Sequence, residues 1–264
     1  MTGTLAQLIV LTTYGNSYLA DEDIPSDFYP NNSTFQFCNR VCFKDLQKII
    51  VAPDPLDWFQ YLKEKNCKKL RLYFQYSQDH SSRKDHQTAG FIGGGGSWLI
   101  EAIYDHYSNY WANIWNGSNK DAPDRRIWSV NYDIALEWEK TRNIQIDPIN
   151  IKAKLRSTLS EIADFAFKHD LEHWGKKFES AKLILDTTEP YENFYHKDLI
   201  PLDNYSITAK QILFAAGSAW VFGGMGSWND LGFDNKENQD IYSELSEKLY
   251  SNIIEAIVSS TNSF

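Results

Sequence analysis

Residues 127–134 read Ile127-Trp128-Ser129-Val130-Asn131-Tyr132-Asp133-Ile134. Apolar and polar side chains alternate, so in an extended chain Trp128, Val130, Tyr132 and Ile134 share one side and Ser129, Asn131 and Asp133 the other. That is the pattern of a half-buried antiparallel strand. Upstream, residues 98–104 and 110–115 have the same β-branched and aromatic character, and Asn116-Gly117-Ser118 and Ala122-Pro123-Asp124 supply turn chemistry before the quoted run. Residues 70–76 and 34–43 predict further strands, and residues 5–13 a buried one ended by a Tyr14-Gly15-Asn16 turn. The acidic stretch 21–32, with its prolines and asparagines, reads as loop. Asp54 is placed to cap a helix that has Pro55 in its first turn and Trp58, Phe59 and Leu62 on one side.

Downstream the period changes from two to between three and four. Apolar positions 151, 155, 159, 162 and 166 lay one stripe along a helix that runs to Gly175, and a second helix covers 176–185. Residues 207–221, rich in small side chains, predict a third. Asp234-Asn235-Lys236-Glu237 has capping-box spacing at a helix start, and Ile241, Leu245, Leu249, Ile253 and Ile257 mark a long terminal helix. Strands first and helices later predict an α+β fold. The expected form is a mainly antiparallel N-terminal sheet with one or two helices (residues 1–145) and a C-terminal helical part packed on it (residues 146–264), in one compact unit.

The 264 residues carry a formal charge of −9, and 15% of them are aromatic. A surface of that sign repels DNA and anionic membranes, which require basic groups to displace counterions. It favours a basic protein partner instead. Three cysteines, an odd number, suit a reducing compartment. The start lacks a basic leader and the apolar run 8–11 is too short to span a bilayer, so the expectation is a cytoplasmic protein.

One phrase occurs twice: Phe91-Ile92-Gly93-Gly94-Gly95-Gly96-Ser97-Trp98 and Val221-Phe222-Gly223-Gly224-Met225-Gly226-Ser227-Trp228. Clustered glycines permit positive φ and close approach of another chain, and the indole supplies a broad face with one N–H. Each copy reads either as a turn pinned by a buried tryptophan or as the floor of a cleft, and Trp98 and Trp228 together would line a shared one. Neither copy has the ending of a phosphate-binding loop, and no cofactor is implied. Asn229 and Asp230 extend the second copy and make it the stronger candidate surface.

His169-Asp170-Leu171-Glu172-His173 resembles the zinc-binding string of the inverzincin metallopeptidases. On one helix His169 and His173 would share a face, and a metal-dependent hydrolase is the alternative reading. Cys38 and Cys42, four apart on a strand, are expected on one face as small core residues. Asp79, His80, Arg83, Asp85 and His86 fall in a polar run, 78–87, read as an exposed loop, with phosphodiester cleavage as the lesser possibility.

In its overall character, acidic, single-chain and poor in motifs, the sequence resembles the immunity proteins that bacteria pair with polymorphic toxins. The resemblance implies a non-catalytic protein that blocks a basic toxin. On that reading Trp98, Trp228, Asn229, Asp230, Asp234 and Glu237, with Asp240, are the candidate binding residues.

Overall fold

The alternating run forms the centre of a sheet. A computed structural model describes residues 1–77, 84–91, 94–118, 121–141 and 146–264. The chain runs α1 (Gly3–Leu19), a short turn α2 (Phe28–Asn31), β1 (Cys38–Lys44), β2 (Ile50–Ala52), α3 (Pro55–Glu64), β3 (Lys69–Gln75) and a second short turn α4 (Asp85–Thr88). It continues with β4 (Ser97–Ile103), β5 (Ser108–Gly117), β6 (Trp128–Glu139), α5 (Pro148–Lys168), α6 (Glu172–Ile184), α7 (Ile207–Ser218) and α8 (Lys236–Thr261). The fold is α+β as expected, with most helical residues C-terminal.

The strands make one sheet in the order β2-β1-β6-β5-β4-β3. Every described pairing is antiparallel except β1 with β6. Val130, Tyr132 and Ile134 are buried as the alternation requires, while Trp128 is half-buried. Helices α1, α3 and α8 pack against strands of the sheet, and a single apolar cluster joins residues of the sheet to residues of all four C-terminal helices. Asp54 caps α3 through Leu56 N and Asp57 N, as its position predicted.

Residues 5–13 are not a strand. They lie inside α1, whose residues 5–17 are all buried. A helix enclosed on every side is apolar all round, and over so short a run it leaves no period to distinguish it from a buried strand. Its polar residues are satisfied internally. Asn16 brackets the backbone of Leu70, accepting from its N–H at 2.7 Å and donating to its carbonyl at 2.9 Å. Asn262, just past α8, does the same for Leu72 at 2.7 and 2.9 Å. The two amides therefore take the place of a missing neighbour strand along the edge of β3, where bare backbone groups would invite pairing with another chain.

Two further expectations are corrected. The helix drawn to Gly175 ends at Lys168, and the chain turns through Asp170 at φ 58° into α6. Gly175 lies within α6, where a Cβ would come within 2.5 Å of the Phe167 ring, so this glycine serves close helix packing rather than termination. The cysteines of β1 are both buried, but a bulge between Cys38 and Arg40 reverses the side-chain parity. Cys38 joins the core, whereas Cys42 pairs in register with Asn131 and donates to its Oδ1 at 3.0 Å. Burial pushes the Cys38 thiol up to about 11 and the Cys67 thiol to about 12. Among the described residues no helix is long and apolar enough to cross a membrane.

Candidate functional site

The two glycine phrases come together against α8. On the first, Gly94 and Gly95 fold back on α4: a Cβ on Gly94 would lie 2.2 Å from Thr88 O, and Gly95 N donates to Thr88 Oγ1 at 2.9 Å. Gly95 and Gly96 have φ of 74° and 77°, the left-handed region that favours glycine. On the second, Val221 and Phe222 are buried, the chain reverses at Gly226 (φ 82°), and Trp228 N returns to Val221 O at 3.3 Å.

Three contacts join the copies. Gly90 abuts Gly223 so closely that a Cβ on it would lie 1.9 Å from the Gly223 carbonyl oxygen. Asn229 Nδ2 donates to His86 O at 2.8 Å. Tyr250 of α8 donates to Gly95 O at 2.5 Å, and its ring meets Phe222 of the second phrase edge-on at 4.9 Å. Burial first, then the Asp85 carboxylate, holds the Tyr250 hydroxyl above its ordinary value, so it remains a donor.

The six candidate residues separate into different roles. Trp228 is fully buried, its Nε1 donating to Ser246 Oγ at 2.8 Å and its carbonyl accepting from Tyr242 at 2.5 Å. It is an anchor, not the wall of a cleft. Trp98 is half-buried on β4, 4.6 Å from Phe74. The phrases thus meet, but the two indoles do not form the shared cleft. Asn229 is the crosslink just described, with its Oδ1 buried and without a partner among the described residues. Asp230 is exposed, and its carboxylate accepts from the Gly226 and Ser227 N–H groups, closing the turn. Asp234 and Glu237 are exposed at the start of α8, and the cap is Asn235, which accepts from Asn238 N, rather than Asp234 as the capping-box spacing predicted.

What the junction presents outward is a pair of residues that the sequence reading passed over in favour of the tryptophans. Phe91, directly after Gly90, is 61% exposed, and Met225, two residues past Gly223, is 101% exposed. The second phrase and the helix that follows it are lopsided in charge. Residues 221–250 carry six carboxylates against two lysines, a net −4 of the chain's −9. The signal for Phe91 and Met225 was present, since a large apolar residue inside a glycine cluster has little local structure to bury it. Tyr250 had none, because its role depends on a contact 155 residues away.

The metal alternative loses its geometry. His169 caps the end of α5 and His173 belongs to α6, so they do not share one helical face. His169 packs between Phe165 and Phe233, at 4.5 and 5.0 Å, and His173 is exposed. Among the described residues no group of three or more His, Cys, Asp or Glu is placed to hold a metal ion. Of the polar run 78–87, Asp79, His80 and Arg83 lie outside the described residues. His86 is buried rather than exposed, and burial lowers its pKa.

Comparison with known proteins adds no relative: no family model, no curated protein and no solved structure matches the chain.

Proposed function

We propose that the chain is a non-catalytic binding protein that neutralises a basic protein partner, in the manner of an immunity protein, and that it docks through the glycine junction. The observation that carries the reading is the pairing there of two projecting apolar side chains, Phe91 and Met225, with a segment of net negative charge, residues 221–250. Apolar anchors in a field of one sign match what protein interfaces use, the anchors for affinity and the field for encounter and selectivity. The backbone beneath is held by Gly90 against Gly223 and by the Tyr250 hydrogen bond, so the anchors rest on a fixed base. Such preorganisation lowers the entropy lost on docking.

The test is affinity capture from the native lysate with the wild-type chain and with a Phe91→Ser/Met225→Ser double variant as parallel baits. The reading predicts a stoichiometric partner of high pI that the double variant fails to retain and that raised salt releases. Capture of the same partner by both baits, or a partner without excess positive charge, contradicts it.

A further inference from the structure

Strand β5 ends on Asn116-Gly117, and no other asparagine in the chain is followed by glycine. Both residues are exposed, and among the described residues the Asn116 side chain makes no hydrogen bond. A Cβ on Gly117 would meet nothing within 4 Å, so the space beside the peptide bond that joins the two is open.

The ladder leaves the Gly117 nitrogen unused. Asn116 pairs with Ser129 and Gly117 with Trp128, and Ser118 N donates to Ile127 O at 2.8 Å. Hydrogen-bonded and non-hydrogen-bonded pairs alternate along an antiparallel ladder. Because Ser118 and Ile127 are bonded, Gly117 and Trp128 form the pair that is not, and the Gly117 N–H points away from β6. On that side β4 pairs with β5 only from Ser108 to Trp111, so no described strand meets it.

Asn16, Asn32 and Asn262, each followed by serine, supply the contrast. All three are buried, and their amides donate to the carbonyls of Leu70 at 2.9 Å, Asp198 at 2.8 Å and Leu72 at 2.9 Å. Their Oδ1 atoms accept from the N–H groups of Leu70, Thr34 and Leu72. An amide held at both ends does not swing its carbon toward the next nitrogen in the chain. Of the four, Asn116 alone is free to do so.

We propose that Asn116 is a site of spontaneous deamidation, where the chain converts itself to a mixture of isoaspartate and aspartate. A base from solvent takes the Gly117 N–H proton, and the nitrogen attacks Asn116 Cγ. A bond forms between Gly117 N and Asn116 Cγ, closing a succinimide ring, while the Cγ–Nδ2 bond breaks and ammonia leaves. Water then adds to one ring carbonyl or the other and opens the ring to isoaspartate or aspartate. Nothing is oxidised or reduced. Glycine favours the closure because it has no Cβ to shield the attacking nitrogen. Closure also turns Asn116 out of the extended conformation, and at the end of a ladder fraying makes that turn inexpensive. Either product adds one negative charge to the formal −9, and isoaspartate puts an extra methylene into the backbone of β5. This site is independent of the docking role proposed for the glycine junction, and either can hold without the other.

The experiment holds the full chain at pH 8.5, in native buffer and in urea, and follows each asparagine over days by acid-stable proteolysis and peptide mass mapping. In native buffer the peptide carrying Asn116 should divide into two deamidated isomers while those carrying Asn16, Asn32 and Asn262 stay intact. In urea, where the fold no longer holds their amides, the latter three should begin to react. Gly117→Ala should slow the conversion of Asn116 in native buffer about 10-fold, since its methyl group crowds the attacking nitrogen. Asn116 intact in native buffer, conversion of a buried asparagine ahead of it, or an unchanged rate in Gly117→Ala overturns the proposal.

Discussion

The two Gly-Ser-Trp phrases are nearly the same string and almost opposite structures. In the first, Ser97-Trp98 opens a strand, the indole is half-buried, and the glycines are packed: a Cβ on Gly96 would lie 2.4 Å from the Phe74 ring and 2.7 Å from Gln75 O. In the second, Ser227 precedes a single turn of 3₁₀ helix, the indole is fully buried, and Gly224 and Gly226 have no atom within 4 Å of where a Cβ would be. Glycine is thus used for close approach in one copy and for an open reversal in the other. The same letters answer two different steric requirements, and only the packing around them shows which.

The tryptophans give the sharpest contrast. Trp228→Ala should cost about 3–5 kcal/mol, because it empties a site between Trp174, Phe178 and Tyr242 and leaves Ser246 without its donor. Trp98→Ala should cost about half as much, since a partly exposed ring forfeits less burial. Urea denaturation of the two variants reads the difference directly, and equal losses would remove the asymmetry. The glycines come next. Gly96→Ala, which meets both a positive φ and a crowded site, should destabilise by about 1–3 kcal/mol. Gly224→Ala should be neutral or slightly stabilising, by up to about 1 kcal/mol, since it restricts the unfolded chain and strains nothing.

The smallest effect concerns pH at the seam between the phrases. Burial depresses the pKa of His86, the Glu247 and Asp85 carboxylates oppose the shift, and Lys84 adds to it. With the folded value lowered, the unfolded chain takes up the proton first as pH falls. The contribution is therefore complete above the unfolded value of about 6.5 and is lost progressively below it. His196 is shifted in the same direction and gives the wild type a second such slope. Thermal melts at pH 7.5 and 5.5 should show a smaller loss on acidification for His86→Gln than for the wild type, and an unchanged loss would place the effect elsewhere.

Much of the fold was legible wherever one face of an element meets water. The alternation around Val130 and Tyr132, the stripe from Ile151 to Ala166 and the Asp54 cap each carry a local periodic or stereochemical signature, and each was read correctly. Legibility failed where burial is complete or a single residue shifts a register. α1 has no polar face to set a period, and the bulge near Arg40 moved Cys42 to the other side of β1 without any trace in the residue types. The two glycine phrases that the sequence singles out do meet in the structure, but the large side chains they expose there are Phe91 and Met225 rather than the buried Trp228. The repetition of Ser-Trp drew attention to Trp98 and Trp228, whereas a tryptophan in such a phrase is the residue with most to gain from burial. Met225 remains outside because the open glycines on either side of it leave no neighbour to cover it, and Phe91 is exposed beside the tightly packed Gly90.

The central claim is that the two phrases act as one docking surface, and amide hydrogen exchange of the chain with and without its captured partner tests it most directly. The account predicts added protection in residues 84–91 and 221–231 together, in the same complex and with the same dependence on salt. Protection confined to one of those segments, or appearing on strands and helices away from both, would contradict it.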